Sequence, residues 1–487
     1  MTGSGDAAPS ADSGAQPAAH EAKKQTVDPW NVQGEVAEDG TVKAIDYNRL
    51  VEEFGTRLID QALLDRFEKA TGRKPHHFMR RGIVFSHREL ELILDRYEKG
   101  QPFFLYTGRG PSSDSMHIGH TVPFEFTKWL QEVFDVPLVI MMTDDEKFLF
   151  KDSTIEEVQS YTRDNVKDII AIGFDPKKTF IFSDYDFMGG AFYRNVTRVS
   201  KCITFNAARA TFGFDDSTNI GRVHFGAIQG ATAFASTFPH IFGSDERVTN
   251  KIPCLIPCAI DQDPYFRLTR HVAQSLKFAK PSLIHARFLD ALQGPGSKMS
   301  ASIDTSAIFM KDTDKQIKNK INKYAFSGGQ ETAELQKELG ADTTKDVAYQ
   351  YLTFFIEDDK VLEDIGKKYA AGDLMTGEVK KMCIEQLQSY VKGFQERRSK
   401  VTDEAMKEFM TPRPLEWTGN PKAPVVIPVA AEEPSGPPTP AEDGELTQNQ
   451  KKKLAKLKAA EEKKAQKAKE REEKAAADAA AKAEGAR

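Results

Sequence analysis

The sequence predicts an α/β fold, with a doubly wound parallel sheet followed by a C-terminal helical domain. Between residues 103 and 288, short apolar runs alternate with longer segments of helical periodicity. This alternation is typical of βαβ units and hence of a parallel sheet. From residue 306 to 417 the chain is mostly charged with helical periodicity, which indicates helices.

The composition is that of a soluble globular protein. The chain has 487 residues, 40% hydrophobic and 29% charged, enough for two or three domains of about 150 residues each. No run of about 18 apolar residues is present to cross a bilayer. The first 48 residues lack arginine and an apolar core, so we expect no targeting peptide and a cytoplasmic location. The net charge of −5 does not favour nucleic-acid binding.

The cysteines give no disulfide framework. There are four, Cys202, Cys254, Cys258 and Cys383, which suits a reducing compartment. Cys254 and Cys258 leave a zinc site as an alternative. They lie in an apolar run without a second Cys/His pair, so buried thiols are the favoured interpretation.

Residues 1–26 are rich in Ala, Gly, Ser and Asp and are predicted to be disordered. Residues 27–95 are predicted to form a hairpin around Trp30 and helices, one of them spanning 47–71. The basic stretch that follows contains His76, His77, Arg80 and Arg81. It is interpreted as a solvated basic face, with an RNA contact as the alternative.

The stretch from Phe103 to Glu125, FFLYTGRGPSSDSMHIGHTVPFE, predicts a strand, a loop and a helix that runs to about Phe134. His117, Gly119 and His120 lie where the helix begins. Unpaired backbone N–H groups at a helix start attract phosphate, imidazoles can donate to its oxygens, and a glycine lets a flat base approach. A metal site is the weaker alternative, because no third ligand is near.

Further buried strands are predicted around residues 136–142, 179–184, 255–260 and 283–288. In doubly wound sheets, ligands bind beyond the carboxyl ends of the strands. The residues expected to converge there with the histidine helix are Tyr106, Thr107, Met141 and Glu146. After the last of these strands comes the loop GSKMSAS, whose small residues would let Lys298 move onto a phosphate.

Three sequence motifs resemble those of a known family. They are His-Ile-Gly-His at 117–120, CAIDQDPYF at 258–266 and GSKMSAS at 296–302. They resemble the HIGH and KMSKS signatures of the class I aminoacyl-tRNA synthetases, and together look like the cytoplasmic, eukaryotic-type tryptophanyl branch of that family. The resemblance extends from about residue 27 to 417.

The resemblance implies a domain organisation and a reaction. Residues 27–95 would cap the ATP site, 96–305 form a Rossmann-like catalytic domain and 306–417 bind the anticodon. The chain would activate L-tryptophan with ATP and Mg²⁺ to tryptophanyl-adenylate, releasing pyrophosphate, and pass tryptophan to the 3′ terminal adenosine of tRNA(Trp) in cytoplasmic translation. A homodimer formed through the helices of residues 189–236 is also implied.

The same resemblance implies the site residues. The catalytic ones are His117, His120 and Lys298. The ATP-binding ones are Arg109, His117, Gly119, His120, Lys298, Met299, Ser300 and Ser302. The tryptophan-binding ones are Tyr106, Glu146, Gln229, Cys258, Gln262 and Phe266. No protein metal site is expected, since Mg²⁺ would be held through ATP.

Indole recognition shows one departure from the family. Sterics cannot exclude amino acids smaller than tryptophan, so a site must pair the indole N–H, and Tyr106 is the candidate. Where eukaryotic members usually carry Gln, this chain has Met141, which cannot accept the N–H as an amide can.

Residues 418–446 are predicted to be a Pro-rich linker, and residues 447–487 a Lys/Ala/Glu-rich tail that is helical or disordered. The tail would either hold RNA phosphates without sequence preference or act only as a solubilising segment.

Three rival functions remain at this point. A tyrosyl-tRNA synthetase shares the fold, and the small nucleotidylyltransferases share His-x-Gly-His but are shorter. A non-catalytic RNA-binding or signalling paralogue would keep the fold without the chemistry, and intact His117, His120 and Lys298 argue against it.

Overall fold

The computed structural model describes residues 24–38, 42–296, 298–301 and 303–417. Most of the predicted disordered segment, the predicted linker 418–446 and the predicted tail 447–487 lie outside these residues. The predicted ATP-binding residue Ser302 also lies outside them.

A seven-stranded sheet organises the described chain, and a two-stranded hairpin precedes it. The strands are β1 (Thr26–Val27), β2 (Val32–Gln33), β3 (Arg57–Leu58), β4 (Val84–Arg88), β5 (Phe104–Arg109), β6 (Leu138–Met142), β7 (Thr179–Ser183), β8 (Cys254–Ala259) and β9 (Ser282–Ala286). The order in the sheet is β3-β4-β9-β8-β5-β6-β7. Strands β9, β8, β5, β6 and β7 are parallel, whereas β3 and β4 form an antiparallel edge.

The strand order confirms the predicted doubly wound sheet. From β5 the chain proceeds outward through β6 and β7, then returns to the other side of β5 to form β8 and β9. The order therefore reverses between β5 and β8. Such a switch point opens a crevice at the carboxyl ends of the strands, and the loop after β5 leads to the histidine helix there.

Helices cover both faces of this sheet. Up to residue 276 they are α1 (Tyr47–Phe54), α2 (Gln61–Thr71), α3 (His77–Arg80), α4 (Leu90–Glu98), α5 (Ile118–Phe134), α6 (Asp144–Phe150), α7 (Ile155–Ile172), α8 (Asp184–Phe187), α9 (Gly190–Cys202), α10 (Phe205–Phe212), α11 (Ile220–Ala231), α12 (Pro239–Phe242), α13 (Glu246–Thr249) and α14 (Asp263–Leu276). Short 3₁₀ turns lie at Ala235–Thr237, Ile260–Gln262 and Asp304–Ser306.

The C-terminal part of the described chain is helical, as predicted. Its helices are α15 (Asp314–Tyr324), α16 (Ala333–Leu339), α17 (Val347–Phe355), α18 (Asp359–Ala370), α19 (Thr376–Arg398) and α20 (Asp403–Met410). No helix in the described ranges is long and apolar enough to cross a membrane.

Two hydrophobic cores lie on opposite faces of the sheet. Along β6, Leu138 and Ile140 pack into one core, and Val139 and Met141 pack into the other. This alternation follows from the period of two along a strand. Because both faces are covered, β6 is an uninterrupted apolar run. The first core continues into α15, α17 and α19, so the helical region is packed directly on the sheet.

The prediction of one helix over 47–71 is wrong. Helix α1 ends at Gly55, whose φ of 64° is left-handed; a glycine there ends a helix without steric cost. Two residues later β3 pairs with β4, and α2 then begins after its N-cap, Asp60. The sequence pattern alone conceals this break because β3 has only two residues.

The prediction of a solvated basic face at 76–81 is also wrong. His77 is buried, and its Nε2 lies 3.0 Å from the carbonyl oxygen of Phe354. The Nε atoms of Arg80 and Arg81 donate to the carboxylate of Asp359 at 2.9 and 2.8 Å. These basic groups therefore attach the N-terminal helices to the helical region.

Candidate active site

The two signature histidines lie at the start of α5. His117 is the N-cap residue, with extended backbone (φ −103°, ψ 166°). Its ring stacks on the ring of His120 with 3.5 Å between centroids. The backbone N–H of His117 donates to Nδ1 of His120 at 3.3 Å, which leaves the proton of neutral His120 on Nε2. Both imidazoles are thus fixed by the helix start itself.

Both histidines are neutral in this environment. Burial, followed by the charge of Arg109, lowers the pKa of His117 well below its usual value. The same causes lower the pKa of His120. A neutral imidazole donates one hydrogen bond and adds no charge of its own. Positive charge at the start of α5 around His117, Gly119 and His120, referred to below as the joint, therefore comes from arginine and lysine.

Unpaired polar atoms face the joint. Nδ1 of His117 and Nη2 of Arg109 are buried without a hydrogen-bond partner in the described part of the chain. Arg109 ends β5, and its Nε donates to Oδ1 of Asn165 at 3.1 Å. Burial lowers the pKa of Arg109 to about 10, so the guanidinium stays charged at neutral pH. Buried donors without partners are rare unless a ligand completes them.

Gly119 keeps the surface of the joint open. A Cβ at this position would lie 3.1 Å from Sδ of Met299 and 3.2 Å from Cε1 of His117. The loop that carries Lys298 therefore packs directly on the start of α5. The His-Ile-Gly-His motif and the GSKMSAS motif, far apart in the sequence, therefore lie on one surface.

Lys298 pairs with an aspartate of the CAIDQDPYF motif. Its Nζ lies 2.7 Å from Oδ2 of Asp261, a residue that is 1% exposed, while the side chain of Lys298 is 40% exposed. Nζ also lies 5.0 Å from the centroid of the Phe288 ring. The other oxygen of Asp261 is buried without a partner in the described ranges.

The remaining ATP-binding candidates in the loop have defined places. Met299 is 4% exposed and packs into the first core. The backbone N–H of Ser300 donates to Oγ of Ser306 at 3.1 Å. The loop is thus fixed at Met299 and Ser300, while the side chain of Lys298 stays partly exposed beside Asp261.

An aromatic pocket candidate lies beyond β5 and β6. The ring of Phe266 meets the ring of Tyr106 edge-on, with 5.7 Å between centroids. The hydroxyl of Tyr106 donates to Sδ of Met141 at 3.3 Å, and Oγ1 of Thr232 donates to the same sulfur at 3.3 Å. The Thr232 side chain also hydrogen-bonds to the Tyr106 hydroxyl, so the Tyr106 oxygen has one lone pair left for a donor such as an N–H group.

The other tryptophan-binding candidates lie around these strand ends. Glu146 is in the first turn of α6, where its Oε2 accepts from Oγ1 of Thr143 at 2.7 Å and lies 2.9 Å from Nζ of Lys147. Gln229 on α11 and Gln262 in a 3₁₀ turn have no side-chain hydrogen bond within the described residues. Cys258 is on β8, and burial raises the pKa of its thiol well above the usual value.

The family model for class I tRNA synthetases of the W and Y type matches residues 98–392. The chain belongs to this family. The resemblance inferred from its three motifs is thereby confirmed.

Curated relatives of this class I synthetase are named as cytoplasmic tryptophan–tRNA ligases. The protein from Saccharomyces cerevisiae is 60% identical over 396 residues, which cover 81% of this chain and 91% of the yeast protein. The human protein is 54% identical over 415 residues, covering 85% of this chain and 86% of its own.

Solved structures of tryptophanyl-tRNA synthetases are also similar to this chain. The tryptophanyl-tRNA synthetase of Plasmodium falciparum has a TM-score of 0.70 and 45% identity, covering 76% of this chain and 95% of its own. The Encephalitozoon cuniculi enzyme, described as bound to tryptophan, has a TM-score of 0.70 and 43% identity, covering 76% and 98%.

Residues near the site of this synthetase also include ones that the sequence analysis missed. Asp261 lies within the quoted CAIDQDPYF motif, so it was visible but was given no role. Asn165 and Thr232 lie in stretches of sequence that contain no motif. Only the packing of the fold brings Asn165 to Arg109 and Thr232 to Met141.

A carboxylate cluster lies at the ends of β6 and β7. Oxygens of Asp144, Asp145 and Asp184 lie within 4.8 Å of one another. Burial raises the pKa of Asp145 to about 6 and that of Asp184 well above its usual value. Asp144 is fully bonded, since it accepts from Ser183 and from the backbone N–H groups of Asp145 and Asp184.

Proposed function

We propose that the chain is a tryptophan–tRNA ligase that forms tryptophanyl-adenylate from L-tryptophan and ATP and then charges tRNA(Trp). Relatives with this name are 54–60% identical over most of the chain. The observation that supports this chemistry is the joint. Unpaired buried atoms of His117 and Arg109 lie there beside the loop that carries Lys298. The cytoplasmic location is carried over from the names of these relatives.

In the first step an oxygen of the tryptophan carboxylate attacks the α-phosphorus of ATP, and the bond to pyrophosphate breaks. Neutral His117 and His120 donate hydrogen bonds to the phosphates, and Arg109 supplies fixed positive charge. No covalent enzyme intermediate is needed, because positioning and charge stabilisation supply most of the catalysis in phosphoryl chemistry.

Lys298 acts on the departing pyrophosphate. In the described structure its charge is paired with Asp261, so binding of phosphate exchanges one anionic partner for another. Interactions formed only as the reaction proceeds lower the barrier. Ser300 and Ser302 are proposed to assist it. The positively charged groups around the joint suit the polyphosphate of ATP, and Mg²⁺, held through ATP, would neutralise the pyrophosphate.

Tyr106 accepts the indole N–H of tryptophan. Its hydroxyl geometry supports this role, since the proton is already directed to Met141. Glu146, Gln229 and Gln262 hold the ammonium and carboxylate groups, and Cys258 and Phe266 line the ring. A site that pairs the N–H penalises amino acids without it more than a site built on shape alone.

The remaining roles concern tRNA and assembly. Helices α15 to α20 are proposed to bind the anticodon, and residues 27–95 to cover the ATP site through Trp30, whose ring stacks on Phe150 at 5.4 Å. A homodimer is proposed through the helices that precede β8. Large apolar side chains there are exposed, namely Tyr193 at 57%, Phe205 at 49% and Ile220 at 80%, as expected of a surface that another subunit covers.

The test is exchange of labelled pyrophosphate into ATP with each amino acid separately. We expect exchange with tryptophan alone, reduced by about 10²–10³ in Lys298→Ala. The matched control is Lys367→Ala, which removes a lysine paired with Glu363 on the outer surface of α18. Exchange with tyrosine would overturn the substrate assignment, and no exchange with any amino acid would favour a non-catalytic paralogue.

A further inference from the structure

The histidine joint is paired with the segment that follows the Lys298 loop. The backbone N–H of Ile118 donates to the carbonyl oxygen of Ile308 at 2.9 Å, and the N–H of Met310 donates to the carbonyl oxygen of Met116 at 2.9 Å. His117 lies between them, opposite Phe309 in an antiparallel bridge. The first signature and the chain leaving the second are therefore held as two short extended segments.

The last turns of α19 bind both of these segments. Nε2 of Gln395 donates to the carbonyl oxygens of Met310 and Asp312 at 2.9 and 3.0 Å. Arg398 donates through Nε to Oδ1 of Asp168, and Oδ2 of the same carboxylate accepts the N–H of Met116 at 3.1 Å. One helix of the helical region thus binds the segment opposite His117 directly and the backbone before His117 through Asp168.

Asp168 is the connecting group. It is 1% exposed, so removing either donor would leave a buried carboxylate oxygen unpaired, which is costly. Its charge also acts on Arg109, where it opposes the lowering of the pKa by burial. A displacement of Asp168 would therefore affect both the position of the backbone before His117 and the charge at Arg109.

We propose that Arg398, acting through Asp168, and Gln395 are positioning residues for the ATP joint. They touch none of the proposed ATP-binding residues and set the backbone that carries His117. This proposal rests on the proposed function only in taking the joint as the ATP site. It gives the helical region a direct mechanical connection to adenylate formation.

The test compares neighbouring residues of the same helix. Arg397 also reaches α7, with its Nε donating to the carbonyl oxygen of Ala171 at 2.7 Å, but this contact does not lead to the joint. Gln388 donates to the carbonyl oxygen of Asp314 at 2.8 Å and is the matched control for Gln395. Gln395 and Gln388 both donate to backbone carbonyl oxygens. Arg398 and Arg397 are the same kind of side chain, but Arg398 pairs with the carboxylates of Asp168 and Asp164 and Arg397 with a carbonyl oxygen.

In pyrophosphate exchange, Arg398→Ala is expected to lower kcat/KM for ATP by about ten- to a hundredfold, since misplacement of about 1 Å has effects of this size. The KM for tryptophan is expected to stay unchanged. Gln395→Ala should shift in the same direction by less, and Arg397→Ala and Gln388→Ala should match the wild type. Arg398→Lys, which keeps the charge but not the planar fork, should recover part of the loss.

Calorimetric titration with ATP on the same purified variants separates this proposal from the proposed function. Weaker ATP binding in Arg398→Ala than in Arg397→Ala supports positioning even if the wild type gave no exchange. Equal ATP affinity and equal kcat/KM in the two variants would overturn it. If Arg398→Ala does not fold, the same comparison between Arg398→Lys and Arg397→Lys decides.

Discussion

The strand ends of the sheet and the C-terminal helices differ in whether their buried polar atoms have hydrogen-bond partners. In the described residues 303–416, every buried side-chain nitrogen and oxygen has a hydrogen-bond partner. Asp346, fully buried, accepts from the Tyr369 hydroxyl at 2.7 Å and from the Gly328 N–H at 3.0 Å. Around the joint, Arg109, His117 and Asp261 each keep a buried atom without a partner in the described chain.

This difference separates structure from function. A buried polar group without a partner costs about 1–3 kcal/mol. In the described chain such atoms also occur singly at Thr56, His240, Asn250 and Trp417, whereas three of them lie around the joint, as expected where a ligand completes them. The hydrogen bonds of Asp346 stabilise the helical region, whereas at the joint we expect a substrate to pair with the unpaired atoms. Substitutions in the two regions should therefore affect different measurements.

The largest effect is expected at Arg109. Arg109→Met removes positive charge and the unpaired Nη2 from the joint, so kcat/KM for ATP in pyrophosphate exchange should fall by about 10²–10³. The free energy of unfolding should fall only by about 1–3 kcal/mol, because Oδ1 of the buried Asn165 loses its donor. A strong loss of stability with little loss of activity would contradict the comparison.

The opposite behaviour is expected at Asp346. Asp346→Ala removes the acceptor of the Gly328 and Tyr349 N–H groups and leaves the Tyr369 hydroxyl only its contact with Thr376, which should lower the free energy of unfolding by about 3 kcal/mol. Urea denaturation measures this. The exchange rate per folded molecule, measured on the same preparation, should equal that of the wild type, and a reduced rate would place Asp346 in the site.

A pH dependence is expected from Asp145. Burial raises its pKa in the folded protein from 3.8 to about 6, so the folded state binds this proton more tightly than the unfolded state does. The contribution of Asp145 to stability is therefore lost as the pH rises from about 4 to about 6. Asp145→Asn should gain free energy of unfolding relative to the wild type across that range, measured with urea. A difference that does not vary with pH would exclude this origin.

The smallest effect is expected at Met141. Met141→Gln adds an amide oxygen beside Tyr106 that can accept the indole N–H, and one such hydrogen bond contributes about 1 kcal/mol. The preference in kcat/KM for tryptophan over its benzothiophene analogue, in which sulfur replaces the N–H group, should rise about fivefold. Thr232→Val removes a hydroxyl that bonds to both Met141 and Tyr106 without adding an acceptor, and is the control for altered hydrogen bonding around Tyr106. An unchanged preference would mean that Tyr106 alone accepts the N–H.

Most of the central sheet could be predicted because its strands are buried on both faces and appear as apolar runs. Strands β6 and β7 were located to within two residues, and the hairpin around Trp30 was also predicted. Strands β3 and β4 were missed. Strand β3 has only two residues, and β4 ends in the polar residues Ser86, His87 and Arg88 instead of continuing as an apolar run. The partner of β4 in the sheet, β9, lies nearly 200 residues further along the chain, so no local pattern records this pairing.

The sequence by itself determined the family, the fold class and the two signature motifs, because phosphate binding needs particular residue types at fixed local spacing. Only the tertiary structure decided the partners of those residues. The pairing of Lys298 with Asp261, the contact of Tyr106 with Met141 and the connection from Arg398 to Met116 join elements distant in the chain. Such contacts follow from how helices and sheet pack, and packing is a property of the whole fold rather than of any one stretch.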